Sequence, residues 1–219
     1  IDFDDFEEID DAGSGSYGKV IQIQHKKTKQ IFAAKQLNSE NNTELDFLHE
    51  LEIMSKVNHL SILKLIGYSL IGFNEQPGMF IITEYISNGN LENILDNVRG
   101  EDSIEQWDET MKLINIYGIA SAMSYLHSHE ISHLDLKPLN ILINDYLFPI
   151  ICDFGLSKKM NNINQQINGL DVRSVHYCSP EIMRSSSATS KSDVYSFGML
   201  LYEMITNQPL YVDFSYINI

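Results

Sequence analysis

The period of the hydrophobic pattern changes along this chain, and the lasting change falls near residue 87. Val20-Ile21-Gln22-Ile23-Gln24 alternates apolar and polar side chains, the period of a half-buried strand. Thr28 and Lys29 mark a turn, and 30–35 returns as a second strand. Residues 62–70 and 79–85 also read as strands. Within this part, 44–57 stands apart: Leu45, Leu48, Leu51, Met54 and Val57 recur at three-residue steps, which predicts a helix with one apolar face. After the turn-rich Ser87-Asn88-Gly89-Asn90 the pattern is helical. A long helix is expected over 109–127, with Met111, Ile114, Tyr117, Ile119, Met123 and Leu126 inward, and a second over 191–206. The Asn/Gln-rich stretch 161–168 reads as a loop. Strands first and helices later predict an α+β chain of two unlike lobes, 1–86 and 87–219, joined near 84–88.

Composition narrows the functional classes. The 219 residues carry a formal net charge of −15, with Asp2, Asp4, Asp5, Glu7, Glu8, Asp10 and Asp11 crowded at the start. Such a surface lacks the basic footprint of a nucleic-acid binder and mildly favours basic partners. The two cysteines, Cys152 and Cys178, are too few for a disulfide framework, so a reducing, cytoplasmic setting is expected. No stretch approaches the ~18 consecutive apolar residues of a membrane span.

Gly13-Ser14-Gly15-Ser16-Tyr17-Gly18-Lys19-Val20 fits G-x-G-x-x-G-x-V. Glycines let backbone amides approach a phosphate closely. The same spacing opens a helix in dinucleotide-binding folds. Here an alternating run follows, so a hairpin over phosphates is the expected context. Lys35, two residues after the small Ala33, lies in the next strand; taken alone it also fits a surface lysine. Glu50, on the helix beside the apolar row, could pair with it, or could equally be a solvated helix glutamate. His133-Leu134-Asp135-Leu136-Lys137-Pro138-Leu139-Asn140 gathers Asp, Lys and Asn in one short loop ahead of the strand Ile141-Leu142-Ile143. Asp135 could accept a hydroxyl proton, Lys137 could neutralise a transferred phosphate and Asn140 could ligate a metal. Asp153-Phe154-Gly155 follows the strand 149–152 and offers a carboxylate suited to Mg²⁺.

In this order and spacing, and with Tyr177-Cys178-Ser179-Pro180-Glu181 and Ser192-Asp193-Val194-Tyr195-Ser196-Phe197-Gly198, these segments resemble the protein-kinase family from about residue 6 to 210. The resemblance implies a two-lobed kinase fold and transfer of the γ-phosphate of ATP to serine or threonine of a protein substrate. It implies that Gly13, Gly15 and Gly18 cover the ATP phosphates, that Lys35 holds the α- and β-phosphates, and that Glu50 holds Lys35. Val20, Ala33 and Leu142 would flank adenine. Glu84 and Ile86 would lie in the hinge that bonds it, with Thr83 as gatekeeper. Asp135 would be the catalytic base, Lys137 its serine/threonine-type companion, and Asn140 and Asp153 the Mg²⁺ ligands. Met54, Leu65, His133 and Phe154 match the family's apolar spine, and Asp193 its buried anchor beneath the catalytic loop. Thr83 and Asn88-Gly89-Asn90-Leu91 suit the tyrosine-kinase-like branch.

Three departures stand out. Leu134 replaces the family's arginine, which receives an activation-loop phosphate. The stretch 158–173 contains no Ser, Thr or Tyr. The two absences agree, and switching by that route is not expected, although Ser157 and Ser174 flank the gap; a phosphate on Ser174 would inhibit. Third, Ser179 replaces an alanine, and the chain stops at Ile219 where the family continues. A fragment is expected, with Glu181 deprived of its arginine and apolar surface uncovered. The alternative reading is a pseudokinase, a nucleotide-binding scaffold. Lys35, Asp135, Asn140 and Asp153, whose loss marks such proteins, are all present. A dinucleotide-dependent oxidoreductase would need a helix directly after Gly18.

Overall fold

The computed structural model describes residues 1–15, 18–37, 43–100, 106–159, 172–185 and 188–210. The chain divides into two compact units, Ile1–Asn58 with Ile62–Ile86, and His59–Ser61 with Ser87–Ile219. The loop expected at 161–168 lies outside the described residues.

The first unit is built on β1 (Phe6–Gly15), β2 (Gly18–His25), β3 (Ile31–Leu37), β4 (Leu65–Ile71) and β5 (Pro77–Glu84), with the helix α1 (Glu44–Met54). The strands form one antiparallel sheet in the order β1-β2-β3-β5-β4. Its register separates two faces. Ile21 pairs with Ala34, Ile23 with Phe32, and Ala34 with Ile82. These residues, with Phe3, Phe6 and Phe80, make the unit's buried core. The opposite face carries Val20 beside Lys35, Lys35 beside Ile81, and Ala33 beside Thr83. A slip of one residue would exchange the faces, so core packing fixes which side chains stand on the other side.

Helix α1 starts where Thr43 and Asp46 cap each other: the Asp46 amide donates to Thr43 Oγ1 and the Thr43 amide to Asp46 Oδ2. Its inward face differs from the three-residue row. Phe47, Glu50, Leu51, Ile53 and Met54 are buried, while Leu45 and Leu48 are 76 % and 51 % exposed. A step of three falls about 60° short of a full turn in a helix of 3.6 residues per turn, so the first two leucines rotate outward.

The second unit carries α2 (Leu91–Arg99), α3 (Glu109–Ser128), α4 (Pro180–Ser185) and α5 (Ser190–Thr206). Two short antiparallel strand pairs accompany them: β6 (Ile131–Ser132) with β9 (Lys158–Lys159), and β7 (Ile141–Ile143) with β8 (Pro149–Ile151). Helix α2 escaped the periodicity reading, although Asn90 and Asn93 cap its start reciprocally. In α3 the expected inward residues Ile114 and Tyr117 are exposed, and the polar Lys112 and Asn115 are buried. Asn115 belongs inside because its amide donates to the Leu147 carbonyl in the β7–β8 turn, at 2.8 Å. Along α5, Val194, Tyr202 and Ile205 are exposed.

Candidate active site

In the first unit the glycine run closes a hairpin. Gly13 pairs with Val20, and Gly15 with Gly18. Gly18 has φ +142°, and a Cβ there would fall 2.0 Å from the Gln36 carbonyl oxygen. Any side chain is thereby excluded from that position. The run leads into strand β2 and not into a helix, so the context of a dinucleotide fold is absent.

Lys35 projects from β3 towards α1, where its Nζ donates to both carboxylate oxygens of Glu50, at 2.8 and 3.1 Å. The Glu50 side chain is nearly enclosed and that of Lys35 only slightly open. A buried carboxylate left without its cation is costly, and the same holds in reverse. Glu50→Ala is expected to lower unfolding free energy by ~3 kcal/mol, the low end for a broken buried pair, because Lys35 keeps some solvent. Urea denaturation checks this, and a loss below ~1 kcal/mol would mean that the pair behaves as an exposed one. At the end of β5, Thr83 Oγ1 donates to the Glu84 carbonyl, at 3.1 Å. The Glu84 carboxylate accepts from the Lys64 amide at 2.9 Å. Ile86 closes this unit.

The second unit gathers the polar loop. Lys137 Nζ lies 2.9 Å from Asp135 Oδ2, and both side chains are almost wholly buried. Asn140 Nδ2 donates to the same oxygen at 2.8 Å and to the Asp135 carbonyl at 2.9 Å. One carboxylate oxygen thus holds two donors, which sets the rotamers of all three residues. Pro138 opens a one-turn 3₁₀ helix, Pro138–Asn140, that brings Asn140 back over Asp135. The turn runs directly into β7, which carries Leu142, bridged to Asn90.

The loop hangs from α5. Asp193 Oδ1 accepts from the Leu134 amide at 2.7 Å, and its Oδ2 accepts from the His133 amide at 2.9 Å. His127 Nε2 lies 2.8 Å from the same Oδ2. Leu134 itself is in the left-handed region, φ +66°, a conformation that a bulky L residue takes only where its surroundings impose it. The His133 imidazole contacts the Cys152 carbonyl at 3.0 Å and meets the Phe154 ring edge-on. Asp153 shares the left-handed backbone, φ +64°. This conformation belongs to the residue that must turn the chain between β8 and the buried Phe154.

Among the described residues no three His, Cys, Asp or Glu side chains converge as an all-protein metal cage would require. The donor set suits a hard cation of another kind. With its Nδ2 committed to Asp135, Asn140 directs its amide oxygen elsewhere, and Asp153 supplies a carboxylate. Mg²⁺ is ordinarily held by one or two such oxygens together with substrate phosphates and water.

A network that sequence reasoning missed ties Tyr177 to α2 and α5. The Tyr177 hydroxyl donates to Glu203 Oε2. Arg99 donates to Glu203 Oε1 at 2.7 Å and to the Asn207 carbonyl at 3.2 Å. Burial, then the hydrogen bond and charge of Glu203, push the Tyr177 phenol far above its usual range, so it remains a donor. Glu181, expected to be left without a partner, accepts from Ser192 Oγ at 3.1 Å. Its carboxyl is held below the usual range by its own backbone amide and by neighbouring hydroxyls.

The sequence profile of the protein kinase domain matches residues 6–216. Dual specificity testis-specific protein kinase 2 of Homo sapiens is 33 % identical over 207 residues, covering 92 % of this chain and 34 % of its own length. An Aurora kinase of Yarrowia lipolytica is 33 % identical over 211 residues, covering 94 % and 53 %. Leucine-rich repeat receptor protein kinase EMS1 of Arabidopsis thaliana is 30 % identical over 208 residues, covering 94 % and 17 %. The chain therefore spans between about a sixth and about half of these relatives' lengths. A match across nearly all of the chain, on a five-stranded antiparallel unit followed by a helical one, places it in the protein kinase domain family.

Proposed function

We propose that this chain is a protein serine/threonine kinase domain that transfers the γ-phosphate of Mg·ATP to hydroxyls of a protein substrate. The observation that carries the reading is the Asp135–Lys137–Asn140 constellation, in which two buried donors, Lys137 and Asn140, converge on one oxygen of the buried Asp135 carboxylate. Phosphoryl transfer asks little covalent help of the protein, so positioning and charge stabilisation are the chemistry required. The acceptor hydroxyl oxygen attacks the γ-phosphorus as the bond from that phosphorus to the β-bridging oxygen breaks. Asp135 orients the hydroxyl and takes its proton. Lys137, held against Asp135, offsets negative charge on the transferred group, and a lysine here is the serine/threonine pattern. Gly13, Gly15 and Gly18 are assigned to the phosphates of ATP, with Lys35 held in place by Glu50. Val20, Ala33, Thr83, Glu84, Ile86 and Leu142 are assigned to its base. Asn140 and Asp153 would hold Mg²⁺, whose contribution is to neutralise charge on the phosphate oxygens.

No helix among the described residues is long and apolar enough to cross a membrane. We place the domain's work in the cytoplasm, because two cysteines, Cys152 and Cys178, are too few for a disulfide framework. The test is transfer of labelled γ-phosphate to a generic basic protein by the full-length protein. Label on serine or threonine is expected, and Asp153→Ala should reduce it by at least ~10²-fold, the usual effect of removing one electrostatic stabiliser. A folded protein that binds ATP and transfers nothing would point to the nucleotide-binding scaffold.

A further inference from the structure

Residues 59–61 fold with the second unit, although the chain on either side of them belongs to the first. His59 fastens them there with both ring nitrogens. Its Nδ1 lies 3.1 Å from the Ser61 amide nitrogen, and its Nε2 lies 3.1 Å from Ser121 Oγ on α3. An amide N–H can only donate, so Nδ1 must offer a lone pair, and the proton of the neutral ring sits on Nε2 and points to Ser121. The ring also meets Tyr125 of α3, with centroids 5.3 Å apart, and His129 lies against Tyr125 at 4.2 Å. Ser61 in turn reaches β8. It is buried, and its carbonyl accepts from the Ile151 amide at 2.9 Å. The next amide, Cys152, donates to the Asn140 carbonyl at 3.0 Å. The last two amides before Asp153 are thus held by two different segments. The packing leaves little slack: a Cβ on Gly118 of α3 would fall 2.7 Å from Pro149 Cγ and 3.2 Å from Ser61 Oγ.

We propose that His59 is a positioning residue for Asp153: the neutral ring accepts the Ser61 amide and so fixes the carbonyl that holds Ile151, and a proton on Nδ1 releases this latch in mild acid. The consequence for activity rests on the kinase reading above; the latch itself does not. A protonated imidazole has two donors and no acceptor, so the Ser61 amide would then face another N–H. The surroundings oppose that charge. The Ser121 hydroxyl and the Tyr125 ring face it from α3, with His129 behind Tyr125, and the Ser61 amide faces it from its own segment. The residues of β8 are Pro149, Ile150 and Ile151, none of them ionisable. No carboxylate is among these groups, and a charge on His129 would add repulsion. Burial holds the His59 imidazole below its ordinary range. Such a group binds its proton more readily in the unfolded chain. The latch is therefore complete above the unfolded value, ~6.5, and is lost as pH falls through the lower folded one.

The experiment uses the full-length protein as wild type, His59→Asn, His59→Ala and His129→Gln. Asparagine keeps an acceptor for the amide two residues on, as in an Asx turn, and does not titrate; alanine has no acceptor. Nitrogen chemical shifts of the wild-type His59 ring should show the Nε2–H tautomer at neutral pH. Hydrogen-exchange protection is read at the Ile151 amide, with the Cys152 amide as internal standard for an intact fold. At pH ~7.5 His59→Ala should lose at least ~5-fold in Ile151 protection, the worth of about one hydrogen bond, while His59→Asn stays near wild type. On lowering the pH to ~5.5, wild type and His129→Gln should lose at least ~3-fold in Ile151 protection relative to Cys152, and His59→Asn should not. In transfer assays the kcat ratio of wild type to His59→Asn should fall by at least ~3-fold over the same range, and His59→Ala should be slow at both ends. An Nδ1–H tautomer, or Ile151 protection in His59→Ala equal to that of wild type, overturns the latch. Equal acid losses in wild type and His59→Asn, or a loss that vanishes in His129→Gln, overturn the titration at His59. Full activity in His59→Ala with Ile151 unprotected overturns the link to Asp153. If no form transfers phosphate while the exchange contrasts hold, the kinase reading fails and the latch stands.

Discussion

Asp193→Ala is expected to unfold the loop that carries Asp135 and to abolish phosphotransfer. The Asp193 side chain has no exposure to solvent, and it accepts from two buried backbone amides, His133 and Leu134, and contacts His127. Alanine would leave both amides buried without an acceptor. Each such group costs ~1–3 kcal/mol, and hydrogen bonds to a charged partner sit at the upper end. The loss, ~3–6 kcal/mol for the two, is a large fraction of the ~5–15 kcal/mol that holds an ordinary domain together. Leu134 would also lose the contact that keeps its backbone at φ +66°. Asp193→Asn should be little better, because asparagine replaces one acceptor by a donor and so faces one of these N–H groups with another. Denaturant melts of both variants check the stability, and hydrogen exchange at the Leu134 amide checks the cause. A melting profile like that of wild type, with the Leu134 amide still protected, would show that the anchor is dispensable.

How much of this could be read in the chain depends on how far apart the cooperating residues lie. Asp135, Lys137 and Asn140 fall within six consecutive residues, and a proline and a following apolar strand already dictate a tight return. Their mutual geometry is therefore nearly a local property. The faces of β2 were legible for a similar reason, since the alternation of Val20-Ile21-Gln22-Ile23-Gln24 assigns each side chain to one side. Helices were harder. Leu45 and Leu48 look inward at three-residue steps but rotate out, and Ile114 and Tyr117 give way to Lys112 and Asn115. The sequence offers no sign that Asn115 must satisfy a carbonyl 32 positions away. The Arg99–Glu203 contact joins residues 104 positions apart, and no periodicity or motif announces it. Leu134 shows the limit most clearly. Read in sequence it is a missing charge, and its burial with Cys178 and Ile182 is visible only in the fold.

Asp135→Asn should leave the fold intact and lower kcat by ~10²–10⁴, the range for a positioned general base. The expectation of an intact fold comes from the contacts. Lys137 Nζ and Asn140 Nδ2 both donate to a single oxygen, Oδ2, and an asparagine can place its amide oxygen there. What asparagine cannot do is take a proton from the acceptor hydroxyl. The loss corresponds to ~2.7–5.4 kcal/mol in activation free energy at 1.36 kcal/mol per tenfold. It should appear in kcat and not in KM for ATP, because Asp135 is assigned to the acceptor and not to the nucleotide. Asp135→Ala makes the comparison sharper. It removes the oxygen on which two donors converge, so it should lose stability as well as rate, and the difference between the two variants separates structural from chemical roles. If Asp135→Asn transferred phosphate within about threefold of wild type, proton removal would not limit the reaction. The buried constellation would then serve only to shape the loop, and the assignment of Asp135 as the base would have to be abandoned.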